Sequence, residues 1–493
     1  MKLCDMSLYD LNDMLEKKEV SAEEITVDVL KRINTVGIEV GGYITLQEEQ
    51  TVLENAREAD KRISENKRIG KIDGIPYALK DNMCTTGLRT TCASKILENF
   101  ISPYNCAVYD YLENAGGVLI GKADMDEFAM GSSTENSALA VTRNPWNYNK
   151  VPGGSSGGSA AVVASGQAIF SLGSDTGGSI RLPASFCGIT GLKPTYSAVS
   201  RYGLVAFASS LDQIGPLTKD ARDMAIVLDH IIKYDNRDST SVMVSTDYSK
   251  NLSKDIKGLR IGVDMAHYEG LDEEIKKAVF KAIDIFKSHG CEIIDLSFTH
   301  NDIALSAYYI ISSAEASSNL ARFDGVKYGM RIQEENIIDT YTKTRSLGFG
   351  KEVKRRIMLG TFVLSSGYYD AYYKKALQAR TLIKHNFDEA FKLCDVVITP
   401  TAVSGAFDRG RKIEDPTQVY LSDIYTVTAN IAGIPAMSIP CGFTNENMPI
   451  GLQLMANAYC EQTLLNAAYA YQETTDFHKQ LPKSGKEADK NEI

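Results

Sequence analysis

The sequence lacks the features that are typical of membrane proteins, of secreted disulfide-bonded proteins and of zinc-binding proteins. No uninterrupted apolar run approaches the roughly 18 to 20 residues that a membrane-spanning helix needs. Residues 1–20 contain acidic side chains and no apolar core, so we expect neither a secretory signal nor a transit peptide. The nine cysteines are scattered without a CxxC pair, which favours reduced, buried thiols over disulfides or zinc ligands. We therefore expect a cytoplasmic protein without a metal.

An excess of positive charge is absent as well. The formal net charge is −10, which disfavours a broad surface for binding nucleic acid. The glycine-rich loops are not followed by Gly-Lys-Ser/Thr, so a phosphate-binding loop is also disfavoured. The composition, 44% hydrophobic and 24% charged residues, is nevertheless that of a globular protein with a large core. We find no internal repeat and no linker that divides the 493 residues.

Two Gly/Ser-rich loops enclose an apolar segment between residues 151 and 193. The first loop, GGSSGGS at 153–159, leads into an apolar run that predicts a buried helix start. The second, DTGGS at 175–179, follows a short apolar run that predicts a core strand. Such composition is most often that of a linker, but linkers do not enclose apolar helix and strand segments. A serine at a strand exit beside glycine N–H groups can act as a nucleophile next to an oxyanion hole.

A nucleophilic serine needs a base, because its hydroxyl is protonated near neutral pH. None of the six histidines lies near a Gly/Ser motif, although a distant histidine could still fold into place. Lys80 ends an apolar, strand-like run in GIPYALKDN. Most lysines are solvated, whereas a lysine base at pH 7 needs its pKa lowered by about three units, which burial can cause. Lys80 is therefore the preferred candidate base.

The three motifs GGSSGGS, DTGGSIR and GIPYALKDN together resemble the amidase signature family of serine hydrolases. The resemblance implies that Ser179 is the acylated nucleophile, that Ser155 is a bridging serine held by a cis peptide bond, and that Lys80 is the base. It also implies that the loop N–H groups of Thr176, Gly177 and Gly178 stabilise the oxyanion that forms when Ser179 attacks an amide, and that ammonia then leaves to give the acyl-enzyme.

The same resemblance implies an α/β fold, with a single large domain whose mixed β-sheet core is covered by helices on both faces. We expect this domain to span residues 1–482, with N-terminal helices over 1–65, the catalytic Gly/Ser core over 66–230, and a substrate-pocket and helical part over 231–482. The charged residues 483–493 are expected to be disordered.

Local signals predict several helices and strands. Ser7 and Ser21 are each predicted to open a helix with a capping box, and a third helix is predicted over Glu48 to Ser64. Further along, Lys257 to Val263 predicts a strand and Asp272 to His289 an amphipathic helix.

Segments in the second half, including GFGKEVKRRIMLGTF and LSDIYTVTANIAGIPAMSIPCG, resemble more narrowly the glutaminase subunits of tRNA-dependent amidotransferases. This implies that Arg356 binds the α-carboxylate of glutamine, that Asp423 binds its α-ammonium, and that Tyr309 helps to fix the substrate. A bound zwitterion needs one fixed charge of each sign, and arginine can form two hydrogen bonds to a carboxylate. The neighbouring Arg355 and Tyr308 leave each choice open, and KEVKRR could instead be a solvated helix face.

The narrower resemblance also implies a heterotrimer. A B subunit would use ATP and Mg to activate Glu-tRNA(Gln) and would hold most of the tRNA, a small C subunit would complete the complex, and ammonia would convert Glu-tRNA(Gln) to Gln-tRNA(Gln). No ATP or magnesium motif occurs in this chain, so we expect no cofactor in it. The alternative is a stand-alone amidase that acts on small or aryl amides, and a non-catalytic role in assembly is disfavoured by the intact Lys-Ser-Ser set.

Overall fold

The structure is a computed structural model that describes residues 2–244, 247–299, 301–411 and 421–482. The predicted disordered tail, residues 483–493, lies outside the described residues. None of the described helices combines the length and the apolar character that crossing a membrane requires.

The described residues form an eleven-stranded mixed sheet. Its strands are, in chain order, β1 (Tyr43–Leu46), β2 (Pro76–Lys80), β3 (Val118–Ala123), β4 (Phe170–Asp175), β5 (Thr190–Lys193), β6 (Gln213–Thr218), β7 (Arg260–Val263), β8 (Glu292–Asp295), β9 (Val396–Pro400), β10 (Ala436–Phe443) and β11 (Pro449–Ala456). Across the sheet the order is β1-β3-β2-β4-β6-β5-β10-β11-β9-β7-β8. The β2–β3, β2–β4, β7–β8 and β7–β9 pairs are parallel and the others are antiparallel. The predicted mixed sheet is thus confirmed.

Helices connect these strands. The α-helices in the described part of the chain are α1 (Leu8–Glu16), α2 (Ala22–Ile33), α3 (Gly37–Val40), α4 (Glu49–Ser64), α5 (Ala107–Asn114), α6 (Gly157–Ala164), α7 (Arg181–Cys187), α8 (Ala221–Ile231), α9 (Glu273–Ser288), α10 (Asn301–Asn319), α11 (Ile337–Gly348), α12 (Lys351–Val363), α13 (Lys374–Leu393), α14 (Val427–Ala432) and α15 (Glu461–Glu473). Short 3₁₀ turns lie between them, including Glu127–Ala129 and Leu421–Asp423.

The sheet is covered on both faces. Every residue of β2, β3, β4, β6 and β11 is buried. Because successive side chains of a strand point to opposite faces, complete burial requires cover on both sides. The predicted α/β class is confirmed. Strands from all three predicted segments join this sheet, while the division of the chain at residues 65 and 230 stays a prediction.

The N-terminal helices begin where their caps were predicted, with one difference. At Ser21 the capping box is complete, because its hydroxyl accepts from Glu24 N–H and the Glu24 carboxylate accepts from Ser21 N–H. At Ser7 the hydroxyl accepts from Asp10 N–H at 3.0 Å, but the Asp10 carboxylate lies 3.6 Å from Arg222 instead. Aspartate is shorter than the Glu or Gln of a capping box. The predicted helix cap at Ser7 is therefore confirmed, whereas the prediction of a complete capping box at Ser7 was wrong.

Candidate active site

The two Gly/Ser loops meet at the end of the central strands. The first loop runs into α6, and the second begins at Asp175, the last residue of β4. Ser156 N–H donates to the Ser179 carbonyl at 3.0 Å, which joins the loops directly. Every residue from 151 to 193 is buried, and Ser179 itself is 7% exposed. The sequence prediction that these loops form one site is consistent with this geometry.

Lys80 ends β2, which lies between β3 and β4 in the sheet. Its Nζ atom lies 2.7 Å from Ser155 Oγ, 2.8 Å from Ser156 Oγ and 3.3 Å from the Ser174 carbonyl oxygen. The Gly154–Ser155 peptide bond is cis, as the family resemblance implies. The strand and the first loop therefore bring the candidate base and the bridging serine into hydrogen-bond contact.

The environment of Lys80 favours its neutral form. Burial lowers the pKa of Lys80 to about 7, against the opposing effect of the carboxylates of Asp126, Asp175 and Asp212. Lys193, at the end of β5, is a useful comparison, because burial and then Arg181 lower its pKa to about 7 as well. Lys193 Nζ donates to the Pro194 carbonyl, however, and to no serine among the described residues. A lowered pKa alone thus does not mark a base, whereas the contact with Ser155 distinguishes Lys80.

The second loop is folded around the carboxylate of Asp175. This carboxylate accepts from Gly178 N–H at 2.8 Å and from Ile180 N–H at 3.1 Å. Arg181 donates to both carboxylate oxygens, at 3.0 and 3.1 Å, and both side chains are fully buried. Burial alone would raise the pKa of Asp175, but Arg181 and Asn430 hold it well below its usual range. A permanent anion therefore shapes the loop that carries Ser179.

The predicted oxyanion-hole residues occupy this turn. Gly178 has φ +135° and its N–H is already directed to Asp175. The Thr176 hydroxyl donates to Asp212 at 2.7 Å, and a Cβ on Gly177 would lie 2.4 Å from the Tyr308 ring. The oxyanion role of Thr176, Gly177 and Gly178 stays a prediction, with the Gly178 N–H engaged in this state.

The nucleophilic role of Ser179 also stays a prediction. Its backbone is fixed by Ser156, but no hydrogen bond joins the Ser155 and Ser179 hydroxyls among the described residues. On the other side of the first loop, Asp126 N–H donates to the Ser155 carbonyl at 3.2 Å. The Asp126 carboxylate accepts from Thr134 N–H and Asn136 N–H, and burial raises its pKa to about 6.

A second polar cluster, formed by later parts of the chain, lies beside the loops. Tyr309 on α10 donates its hydroxyl to Asp423 at 2.7 Å. Ser132, from the polar loop at 130–136, donates to the same carboxylate at 3.0 Å. Burial raises the pKa of Asp423 to about 6, so it is ionised at neutral pH. Thr426 connects this cluster to the second loop, since its hydroxyl donates to the Gly177 carbonyl at 2.6 Å.

Arg356, and not Arg355, faces this cluster. The Arg356 guanidinium lies over the Tyr309 ring, 4.5 Å from its centroid, and the residue is only 4% exposed. The Arg355 side chain is 48% exposed, and both arginines contact Glu352. On α12 the buried positions are Val353, Arg356, Gly360 and Val363. This helical spacing was the signal in the sequence that could have distinguished the two arginines.

Several contacts of the site were missed at the level of sequence. In the sequence, Asp175 and Arg181 are visible only as the two ends of the motif DTGGSIR, and no sequence signal indicates that Ser156 contacts Lys80. Tyr308, the alternative to Tyr309, lies instead against Gly177. No local signal shows that these residues are buried together, because their partners lie on separate strands and helices. Among the described residues, no group of three or more His, Cys, Asp or Glu side chains is arranged to hold a metal ion.

Comparison with known proteins finds relatives over nearly the whole chain. A family model described as Amidase matches residues 24–465. The chain is 55% identical over 480 residues to the A subunit of glutamyl-tRNA(Gln) amidotransferase from Caldanaerobacter subterraneus subsp. tengcongensis, covering 97% of this chain and 98% of that relative. It is 53% identical to the protein of the same name from Thermodesulfovibrio yellowstonii, covering 98% and 100%.

Solved structures share the fold over nearly the whole chain. The crystal structure of the A subunit of glutamyl-tRNA(Gln) amidotransferase from Thermotoga maritima is 38% identical, with a TM-score of 0.81 and coverage of 98% and 99%. The native peptide amidase from Stenotrophomonas maltophilia is 25% identical, with a TM-score of 0.83 and coverage of 97% and 99%. The extent of the family match and the identity of these relatives lead to one conclusion: the chain belongs to the amidase family.

Proposed function

We propose that this chain is a glutaminase that hydrolyses the side-chain amide of glutamine and supplies the ammonia that converts Glu-tRNA(Gln) to Gln-tRNA(Gln). The observation that carries the proposal is the buried contact of Lys80, whose pKa is about 7, with Ser155. This pair lies at the loop of Ser179, and Thr426 connects that loop to the polar cluster that contains Asp423, Tyr309 and Arg356. The identity of the relatives named above supports the choice of reaction.

In the first step, neutral Lys80 takes a proton from Ser155 while Ser155 takes the proton of Ser179. Ser179 Oγ then attacks the amide carbon of glutamine and forms a tetrahedral oxyanion. N–H groups of the Thr176–Ser179 loop stabilise this oxyanion, and the Gly178 N–H can contribute only by leaving the Asp175 carboxylate. The protonated Lys80 returns the proton through Ser155 to the leaving nitrogen, the C–N bond breaks, and ammonia departs.

In the second step, water hydrolyses the glutamyl ester on Ser179. Lys80, neutral again, accepts a proton from this water through the same relay, and the ester carbonyl is attacked. The C–Oγ bond breaks, glutamate leaves, and the Ser179 hydroxyl recovers its proton. Each step uses the relay once in each direction, so the enzyme returns to its starting protonation state.

The polar cluster provides the binding site for the amino-acid end of the substrate. We propose that Arg356 binds the α-carboxylate of glutamine, as a planar donor of two hydrogen bonds. Asp423 would bind the α-ammonium, with Tyr309 and Ser132 holding its carboxylate in position. Opposite charges in this cluster favour a zwitterion, because the α-carboxylate can bind Arg356 while the α-ammonium binds Asp423.

The chain would work as part of a complex in the cytoplasm. The relatives are named as one lettered component of an amidotransferase, which supports an assembly with B and C subunits. We propose that the B subunit binds Glu-tRNA(Gln) and uses ATP and Mg to activate it. The net charge of −10 fits this division, because a surface that holds tRNA is generally basic.

The test is ammonia release from glutamine by the chain purified with its co-expressed partners, with and without ATP and Glu-tRNA(Gln). Ser179→Ala is the blank. Ser165→Ala is the matched control, because Ser165 is also buried but donates to the Ala161 carbonyl at the end of α6. Release that requires Ser179 and rises with tRNA and ATP supports the proposal. Silence toward glutamine with turnover of aryl amides by the chain alone would indicate a stand-alone amidase.

A further inference from the structure

Glu127 is a buried carboxylate outside the Lys-Ser-Ser set, in the 3₁₀ turn directly after Asp126. The residue is 2% exposed. One carboxylate oxygen accepts from the Ser94 hydroxyl and the other from Gly350 N–H at 2.8 Å. A buried carboxylate is costly unless it is hydrogen-bonded. Glu127 therefore holds two distant segments of the chain against its own turn.

Gly350 is the residue that precedes α12, and as a glycine it has no side chain to cap that helix. A Cβ atom at Gly350 would lie 2.3 Å from the Glu127 carboxylate, so a larger residue at this position would require that carboxylate to shift. The carboxylate stands at the amino end of the helix, where the helix dipole favours a negative charge. Glu127 thus fixes the point at which α12 begins.

The residue after Glu127 holds the same segment from its apolar side. The Phe128 ring lies 5.7 Å from the Phe349 ring and 4.9 Å from the Phe323 ring, measured between centroids. The first pair is edge-to-face and the second is tilted, and such aromatic contacts are favourable beyond the area that they bury. The turn therefore contacts the start of α12 through both a hydrogen bond from Gly350 N–H to Glu127 and an aromatic contact between Phe128 and Phe349.

The other end of this connection is the proposed substrate site. Arg356 lies six residues after Gly350 on α12 and contacts the Tyr309 ring. Further along the helix, a Cβ on Gly360 would lie 1.9 Å from the Ser313 carbonyl oxygen, so α12 is tightly packed against α10. Because closely packed interiors transmit strain, we expect a shift at the first residue of α12 to reach Arg356.

We propose that Glu127 is a positioning residue that places Arg356 for the α-carboxylate of the substrate through the start of α12. The inference rests on the proposed function. It assigns to Glu127 the affinity for glutamine and not the chemical step, because Glu127 contacts neither the loops nor Lys80 in the described residues.

The kinetic test compares glutamine with 4-aminobutanamide, which has the same amide and amine but no α-carboxylate. Glu127→Ala is expected to raise KM for glutamine about tenfold with kcat within about twofold, and to leave KM for 4-aminobutanamide within about twofold. Glu127→Gln is expected to restore most of the affinity, because its amide oxygen can still accept from Gly350 N–H. Glu461→Ala is the matched control, since Glu461 is equally buried but accepts from Thr195 N–H, away from α12.

Hydrogen exchange gives a readout that does not depend on activity. In Glu127→Ala we expect faster exchange over residues 350–354, whereas Glu461→Ala should leave that segment unchanged. Unchanged exchange there, or equal losses on the two substrates, would overturn the inference. If the wild-type complex does not hydrolyse glutamine, the proposed function fails, and the exchange of residues 350–354 still decides whether Glu127 holds α12.

Discussion

The two halves of the candidate site are built in different ways. The catalytic half comes from β2 and the contiguous stretch 151–193, whose two loops are joined by the hydrogen bond from Ser156 N–H to the Ser179 carbonyl. The substrate half takes Tyr309, Arg356 and Asp423 from three separate elements, which meet through side chains. A fold of this kind can keep its chemistry while its specificity changes, because the two sets of contacts share few residues.

The largest effect should come from breaking the catalytic half. Ser179→Ala and Lys80→Met are each expected to lower kcat/KM for glutamine by about 10⁴-fold or more, because residues that act as one unit lose nearly the whole effect together. Lys193→Met is the control. The pKa of Lys193 is lowered to about 7 as well, but its Nζ atom donates to a carbonyl and not to a serine. Steady-state ammonia release measures all three. An equal loss in Lys193→Met would contradict the view that contact with Ser155 defines the base.

The anchor of the second loop should rank next. Asp175→Asn leaves Arg181 buried without its counter-charge, which is expected to cost about 3–5 kcal/mol of unfolding free energy. The loss of one of its two acceptor oxygens also loosens the Gly178 turn, so we expect kcat to fall about 10²-fold in the folded enzyme. Denaturant unfolding and kinetics on the same preparations separate the two effects. A variant with normal stability and normal kcat would show that Asp175 does not shape the loop.

Substitutions in the substrate half are expected to change the affinity for glutamine and not kcat. Arg356→Lys keeps the charge but loses the paired donors, and we expect KM for glutamine to rise about 30-fold, equivalent to about 2 kcal/mol. The neighbouring Arg355→Lys is the matched control and should stay within about twofold, since its side chain is half exposed. Turnover of 4-aminobutanamide should be unaffected in both. Similar KM values for the two variants would remove the distinction between the faces of α12.

The smallest effect is expected in the pH dependence of kcat/KM. Lys80 must be neutral to accept a proton, and burial lowers its pKa to about 7. Below that pH the ammonium form accumulates, so kcat/KM is expected to fall about tenfold per pH unit and to level off above it. Lys193→Met should keep this limb. If the fall in kcat/KM below pH 7 disappeared in Lys193→Met, the titrating group would be Lys193 and not Lys80.

Part of the catalytic half could be predicted from local signals. Paired glycines around apolar runs and a lysine at the end of an apolar run pointed to the Ser179 loop and to Lys80, whereas the bridging role of Ser155 came from the family resemblance, and all three roles stay predictions. Asp175 and Arg181 could be seen in the motif, but their mutual burial depends on Asn430 and Gln453, which come from the far end of the chain. The choice of Arg356 came from the family resemblance. The spacing of the buried positions on α12 also selects Arg356 over Arg355.

Direct observation of the acyl-enzyme tests the central claim most closely. The complex is mixed with glutamine, quenched in acid within the first turnover, and digested for mass analysis of the peptides that contain Ser155, Ser156 and Ser179. We predict one glutamyl group on Ser179, present in wild type and absent in Ser179→Ala. A glutamyl group on Ser155 or Ser156, or steady ammonia release with Ser179 unmodified and replaceable by alanine, would contradict the account.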